Sequence, residues 1–235
     1  MKLSFVLPTF NSAEFLHPAI DSCLAQSYRD IEIVVVDDAS TDSTPDYVAW
    51  AKMQEWADKV KFIRNEVNMG RSASRNIGNA AATGDIIAVL DADDLSTPKR
   101  AELTVARFKA GAVVVHGAAH KMDAVGRDLG MVESDVFNRD LAVERLSAGV
   151  IHSTVAYSKD IAKRYPYLAG EPARLGVDDF TILMPMAFDG IKFEYIPVPL
   201  AAYRVNEFGV TATRDSKEVV EFKSGFLKGL MAVAA

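Results

Sequence analysis

Ile86-Ile87-Ala88-Val89-Leu90-Asp91-Ala92-Asp93-Asp94 runs five apolar residues straight into three carboxylates. The run is bracketed by Thr83-Gly84-Asp85 before it and Leu95-Ser96-Thr97-Pro98 after it. An apolar stretch of this length fits a strand covered on both faces, as in a parallel sheet flanked by helices. Ligands of such sheets sit at the carboxyl ends of the strands. Asp91 and Asp93 are one residue apart, so on extended backbone they share a face, and their charges repel unless a cation or a donor-rich ligand lies between them. Two carboxylates are too few to enclose a hard cation. Mg²⁺ or Mn²⁺, however, takes one or two carboxylates, several waters and the oxygens of a diphosphate. The stretch therefore predicts a divalent metal site completed by a nucleoside-diphosphate ligand.

Immediately downstream, Asp94-Leu95-Ser96-Thr97-Pro98 reads as a helix start, with Ser96 or Thr97 as N-cap, Pro98 at the first helical position and Asp94 favouring the helix N-terminus. A calcium-binding EF-hand loop beginning at Asp91 is excluded, because Leu95 falls where a ligand belongs and Ser96 where the turn glycine belongs.

Upstream, Leu3 to Leu7 reads as a buried strand followed by the loop Pro8-Thr9-Phe10-Asn11-Ser12. Asn11, with Glu14 three residues on, looks like the capping box of a helix through Phe15, Leu16, Ile20 and Leu24, in which Pro18 implies a kink or a later start. Ile31 to Val36 is a second β-branched strand ending in acids, Asp37-Asp38, and Thr41-Asp42-Ser43-Thr44-Pro45 opens a second helix. Lys59 to Ile63 is a short third strand. Arg71 to Ala81 is a helix of small residues able to approach the sheet closely and leads into the organising strand. Strand and helix alternate four times, which argues for right-handed crossovers and a parallel sheet. The glycines form neither G-x-G-x-x-G nor a P-loop, which disfavours a dinucleotide dehydrogenase and a P-loop NTPase.

Composition agrees with a soluble globular chain: 235 residues, 49% hydrophobic, 25% charged, with mean hydropathy near zero. A net charge of −6 with scattered Lys and Arg leaves no footprint for nucleic acid. Cys23 is alone and reads as packing, so neither a disulfide framework nor a thiolate metal site is available. Met1 to Pro8 is too short an apolar run for a signal peptide, and no window reaches the roughly 18 apolar residues of a membrane span. A cytoplasmic location is expected, with peripheral contact at the inner face of a membrane allowed by the amphipathic segment 221–231.

The second half is less regular. A helix from Pro98 to about Lys109 precedes a strand over 112–116. Residues 123–126 and 129–130 look like turns, 139–146 helical, 153–157 a strand and 160–164 a helix. Gly176-Val177-Asp178-Asp179-Phe180 opens another helix, 191–198 resembles a strand and 202–209 a loop. His116 and His120 would pair as metal ligands only on a helix, and Val113-Val114-Val115 argues for a strand.

Four stretches, in order, resemble the large family of nucleotide-sugar-dependent inverting glycosyltransferases known as family 2. They are Phe5-Val6-Leu7-Pro8-Thr9-Phe10-Asn11, Ile33 through Asp42, Asn68-Met69-Gly70 through Arg75-Asn76-Ile77-Gly78, and Leu90-Asp91-Ala92-Asp93-Asp94. The likeness covers residues 1 to about 110 strongly and 111–210 loosely. It implies an α/β fold of GT-A type, a Rossmann-like, mostly parallel sheet flanked by helices with a less regular acceptor-side subdomain. Residues 1–215 would form one catalytic domain, 1–95 the nucleotide-binding half and 96–215 the acceptor half, with 216–235 a C-terminal helix. The resemblance implies that Pro8, Phe10, Asp38 and Arg71 hold the nucleoside, that Ala92 belongs to the nucleotide-binding set, that Asp91 contacts the ribose, and that Asp93 binds Mn²⁺ or Mg²⁺. It also implies that the second acid of the pair, Asp179, is the catalytic base, with Asp178 the fallback. Tyr203-Arg204-Val205-Asn206 resembles a segment that closes over the diphosphate, Asn206 standing where the family usually has His. For Arg204, being held by core contacts is an equal alternative. Asp37 and Asp42 are expected to order their loop and Arg75 to tie helix to sheet.

The activity implied is transfer of a sugar from a UDP-sugar to the hydroxyl of a glycan, a lipid-linked or another acceptor, with inversion. The competing readings are a catalytically silent sugar-nucleotide or glycan-binding domain on the same fold, and a phosphohydrolase with Asp91 as nucleophile. The pair Asp178-Asp179 argues against the first, and the upstream Asp37-Asp38 loop against the second. The donor sugar, the acceptor and the oligomeric state are not readable from the sequence.

Overall fold

The computed structural model describes residues 1–132, 134, 136–205 and 216–234. Four β-α units come first: β1 (Leu3–Thr9) and α1 (Ala13–Leu24), β2 (Ile31–Asp37) and α2 (Thr44–Ala51), β3 (Val60–Arg64) and α3 (Arg71–Ala81), then β4 (Ile86–Val89) leading through the two-residue β5 (Leu95–Ser96) to α4 (Arg100–Lys109). β1 pairs in parallel with both β2 and β4, and β2 with β3, giving the order β3-β2-β1-β4. The carboxyl ends of β1, β2 and β4 thus lie side by side, and the loops after them carry Phe10, Asp38 and Asp91.

Side-chain alternation builds two cores. Leu3, Phe5, Leu7, Ile33, Val35, Ile86 and Ala88 pack with α1 and α4 on one face. Val6, Val34, Val36, Ile87 and Val89 pack on the other with residues of the second half. Burial on both faces is why these strands read as continuous apolar runs.

The remaining elements are β6 (Val114–Met122), β7 (Asp128–Val132), α5 (Arg139–Glu144), β8 (Ala156–Ser158), α6 (Lys159–Arg164), α7 (Glu171–Leu175), α8 (Asp178–Phe188), β9 (Phe193–Arg204) and α9 (Lys217–Ala234). They extend the sheet beyond β4 in the order β8-β6-β9-β5, with β7 on β6 as a hairpin, and this half is mixed: β6 and β9 are parallel, β4–β8, β6–β8, β6–β7 and β5–β9 antiparallel. α9 docks through Val219 and Leu227 onto Leu175, Phe180 and Met184. Among the described residues no helix is long and apolar enough to cross a membrane.

Several local expectations are corrected. Helix α4 begins at Arg100 with Lys99 at its N-cap, because Leu95 and Ser96 pair with Ala202 and Ala201 of β9. Asp94 therefore does not sit at a helix N-terminus. Asn11 does not cap α1. It adopts φ +50° and its side chain accepts from the Thr41 N–H (2.8 Å), while Asp42 reaches across to accept from the Ala13 N–H (3.1 Å). The two loops cap each other. Helix α1 starts at Ala13 and runs through Pro18. Residues 202–204 are strand, not loop, since they pair with His120, Lys121 and Met122 of β6, Ala202 pairing with Leu95 of β5 as well; Leu129 and Gly130 likewise belong to β7.

Candidate active site

The acid cluster lies where β4 ends. Asp91 is held by Arg75, whose Nη2 bonds Asp91 Oδ1, and the Asp91 N–H donates to Ser153 Oγ (3.4 Å). Burial alone would push the Asp91 carboxyl up; Arg75 outweighs it and brings the group down to about 2. Asp93 goes the other way. Burial and the neighbouring charge of Asp91 raise it to about 6, and no side chain among the described residues donates to its carboxylate. Asp94, 1% exposed, is pushed up further by burial and by Asp93, and its Oδ1 accepts the Arg204 N–H (2.8 Å). A carboxylate left unpaired beside another is the local charge arrangement that a divalent cation relieves. No cluster of three or more His, Cys, Asp or Glu able to hold a metal exists among the described residues. This donor set fits a cation that takes most of its ligands from a diphosphate and water, and does not fit a closed protein cage.

Around this cluster stand the residues expected at the nucleoside. Pro8 and Ala92 are buried and Phe10 is 46% exposed at the rim. Asp38, 3% exposed, accepts from Asn65 Nδ2 (2.7 Å), the Met69 N–H (2.9 Å) and the Gly70 N–H (2.7 Å). It thereby shapes the 65–70 loop that launches α3, and with about four lone-pair sites it retains room for one more donor. Asp37 orders its own loop by accepting from the Ser40 N–H (3.0 Å) and pairing with Arg64.

Arg71 and Arg75, one turn apart on α3, both reach Asp178: Arg71 Nε at 3.0 Å from Oδ1, Arg75 Nη1 on Oδ2. Arg71 also donates to the Ala173 carbonyl (3.3 Å), so the residue expected at the base points here to the second half of the chain. Arg75 bridges the two halves, holding Asp91 with one nitrogen and Asp178 with another. Asp178 is buried, whereas Asp179, next along the first turn of α8, is partly exposed, carries no ion pair among the described residues and accepts only from the Phe180 N–H (2.7 Å). Gly176, left-handed at φ +69°, ends α7 and lets α8 begin at Asp178.

Arg204 is drawn to backbone rather than open space. Its guanidinium donates to the carbonyls of Asp93 (2.8 Å), Asp123 (3.0 Å) and Ala124 (2.8 Å) and lies over the Phe15 ring. These contacts are those of the core-contact alternative. Asn206 lies outside the described residues. The two histidines doubted as ligands are on strand β6: His116 is buried against Ser134 (3.1 Å) and His120 lies 3.7 Å from Asp128. Burial pushes the Cys23 thiol up to about 12, as packing requires.

Sequence reading missed two features of the site. One is the bridging of Arg75. The other is the polar triplet His152-Ser153-Thr154, which interrupts an apolar run and sits against Asp91; that interruption was the available signal.

The sequence profile described as glycosyl transferase family 2 matches residues 4–165, well over half of the chain. The chain belongs to that family. An uncharacterized glycosyltransferase of Nostoc sp. is 34% identical over 217 residues, covering 88% of this chain and 65% of the relative. The succinoglycan biosynthesis protein ExoO of Rhizobium meliloti is 38% identical over 126 residues, 54% of this chain and 34% of the relative. The chain therefore spans less than two thirds of the length of these relatives. Among solved structures, Staphylococcus aureus TarS 1–349 in complex with UDP-GlcNAc superposes with a TM-score of 0.69 at 20% identity, covering 97% of this chain and 66% of that one. Mannosyltransferase PcManGT from Pyrobaculum calidifontis, in complex with GDP-Man and Mn²⁺, gives 0.66 at 18% identity, covering 99% and 74%. These likenesses establish the GT-A-like α/β fold for this family 2 chain.

Proposed function

We propose that this family 2 chain moves a sugar from a nucleoside diphosphate sugar, a UDP-sugar, to the hydroxyl of a glycan, lipid-linked or other acceptor, with inversion and with help from Mn²⁺ or Mg²⁺. The observation that carries the reading is the pairing pattern of the acids. Arg75 ties Asp91 to Asp178 across the two halves and, among the described residues, leaves the carboxylates of Asp93 and Asp179 without ion pairs.

Inverting transfer needs an acceptor hydroxyl that loses its proton as it attacks the anomeric carbon from the face opposite the leaving diphosphate. Asp178 already gives both oxygens to arginines, so Asp179 is the group that takes this proton. Asp93 would hold the cation, which when bound offsets the charge developing on the diphosphate. Asp91, fixed by Arg75, would accept from the ribose beside buried Ala92, and Pro8, Phe10, Asp38 and Arg71 would frame the base, Arg71 exchanging its contact with Asp178. Uridine is preferred because a single remaining acceptor position on Asp38 suits the one imide N–H of uracil, whereas guanine offers a donor pair. TarS is solved with UDP-GlcNAc and PcManGT with GDP-Man and Mn²⁺, which supports a nucleotide-sugar donor of one of these two kinds.

Calorimetric titration of UDP and GDP, each with and without Mn²⁺, into the parent chain and Asp93→Ala tests the reading. Tight UDP binding that needs Mn²⁺ and is lost in the variant is expected. Equal affinity in parent and variant would remove Asp93 from the metal site, and tighter GDP than UDP would replace the base.

A further inference from the structure

His152 stands outside every role assigned above. It opens the short 3₁₀ turn His152–Thr154. Two contacts fix that turn beside Asp91: the Asp91 N–H to Ser153 Oγ (3.4 Å) and the Val89 N–H to the Val155 carbonyl (2.9 Å). On the far side, the imidazole Nε2 is 2.8 Å from the Tyr167 hydroxyl, the two rings meeting edge-on. Tyr167 is itself immobilised. It is 2% exposed, its backbone exchanges two hydrogen bonds with the Asn76 side chain (2.8 and 2.9 Å), and Arg75 lies over its ring at 5.4 Å. Its hydroxyl is 3.3 Å from that of Tyr157, which is in turn 3.1 Å from Asn79 Nδ2.

A histidine anchored through one ring nitrogen has its ring plane set and offers the other nitrogen in a fixed direction. Here Nε2 is the anchored nitrogen, the residue as a whole is partly exposed, and Nδ1 has no hydrogen-bond partner among the described residues. The charges of Arg75, Asp91, Asp179 and Asp178 all act on this ring. The turn that carries it is fixed against Asp91 at the end of β4, and the Tyr167 that anchors it lies under Arg75, which holds both Asp91 and Asp178.

We propose that His152 is a specificity-determining residue that contacts the transferred sugar, with Nδ1 hydrogen-bonded to one of the sugar hydroxyls. This rests on the roles given above to Asp91 and Asp179, since the reacting sugar must lie between the group that holds the nucleotide and the group that activates the acceptor. A site built to hydrogen-bond a hydroxyl discriminates strongly, because a sugar lacking it there leaves a polar group unpaired. The sugar-contacting role separates His152 from the nucleotide: it should affect what the sugar adds to binding and leave the nucleotide's own affinity alone.

Calorimetry with five probes, UDP, UDP-glucose, UDP-N-acetylglucosamine, GDP and GDP-mannose, each with Mn²⁺, reads this in the parent, His152→Phe and Tyr167→Phe. Tyr167→Phe removes only the anchoring oxygen and keeps the ring under Arg75, so it reports even where His152→Phe fails to fold. For the sugar the parent binds best, the ratio of nucleotide-sugar to free-nucleotide affinity is expected to fall about tenfold or more in His152→Phe and by less in Tyr167→Phe, with free-nucleotide affinity held near the parental value. Parental ratios in both variants overturn the assignment. So does an equal loss for free nucleotide and nucleotide sugar, which marks a structural role. A parent that binds none of the five probes contradicts the nucleotide-sugar reading itself, and the His152 assignment with it.

Discussion

Asp178 offers one carboxylate oxygen to Arg71 and the other to Arg75, and its partly exposed neighbour Asp179 has no ion pair among the described residues. That division of labour makes the two substitutions separable. Asp179→Asn keeps the shape, removes the basicity and should lower turnover by about 10²- to 10⁴-fold while the affinity for UDP with Mn²⁺ stays parental. Asp178→Asn instead leaves Arg75, 3% exposed, short of a charge partner in the interior, and should lose about 3 kcal/mol of stability on chemical denaturation. Full activity in Asp179→Asn together with an inactive but parentally stable Asp178→Asn would exchange the two roles. These acids were legible in the sequence because each belongs to a short local pattern: an apolar run ending in Asp-x-Asp, or a glycine followed by an acid pair at a helix start. Arg75 was legible only as a helix residue packing on the sheet. Its meaning depends on Asp91, 16 positions away, and Asp178, 103 positions away, and no local pattern carries that. The same holds for His152, whose role is set by Tyr167 and by the fold around Asp91.

Helix α3 supplies both arginines, and its distance from the sheet sets where they end. Gly78 is the point of closest approach: a Cβ there would collide with Val6 Cγ1 and lie 3.3 Å from Val36 Cγ2. Alanine is the better helix former by about 1 kcal/mol, yet both neighbours belong to packed strands with nowhere to move. Gly78→Ala should therefore destabilise by a net of about 1–2 kcal/mol, read as a fall in Tm of several degrees, about 2–4 °C per kcal/mol for a chain of this size. An unchanged or raised Tm would mean that α3 shifts freely and does not set the arginines. The small residues of Arg71 to Ala81 announced this close packing in advance, and the β-branched runs announced β1, β2 and β4. Other elements were less legible for physical reasons. β5 is two residues long and defined only by its partner β9. β9 contains Pro197 and Pro199, which cannot donate to a ladder, and its pairing with β6 shifts register beside them; the polar Tyr203-Arg204 end is strand because it pairs with Lys121 and Met122 of β6.

Across the whole molecule, the parallel half follows from its own sequence and the mixed half from what it packs against, which is why the order β8-β6-β9-β5 could not be written down beforehand. At the amino-terminal ends of the parallel strands, Glu32 fastens three segments. Lys2 Nζ (2.8 Å), Ser4 Oγ (2.5 Å), Thr83 Oγ1 (2.6 Å) and the Gly84 N–H (3.1 Å) all meet its carboxylate. Burial pushes the Glu32 carboxyl up, but the hydrogen bonds from Lys2, Ser4 and Thr83 outweigh it and bring the group down to about 2. A carboxyl held below its unfolded value adds stability that is complete above the unfolded pKa of about 4.3 and is lost as pH falls toward 2, here about 1–2 kcal/mol after allowance for solvent screening. Acid titration of stability should accordingly show a steeper loss between about pH 4 and pH 2 in the parent than in Glu32→Gln, and parallel curves would contradict the role given to Glu32. The central claim concerns the opposite end of the sheet, with Asp93 as the proposed cation ligand and Asp179, which has no ion pair among the described residues, as the proposed base. Its most direct test is the release of free nucleoside diphosphate from a panel of nucleotide sugars offered with glycan and lipid-linked acceptors, with Mn²⁺ and with chelator. The account predicts metal-dependent release of UDP in the parent that Asp179→Asn abolishes; nucleotide-sugar binding without release from any donor, or release that Asp179→Asn leaves untouched, would contradict it.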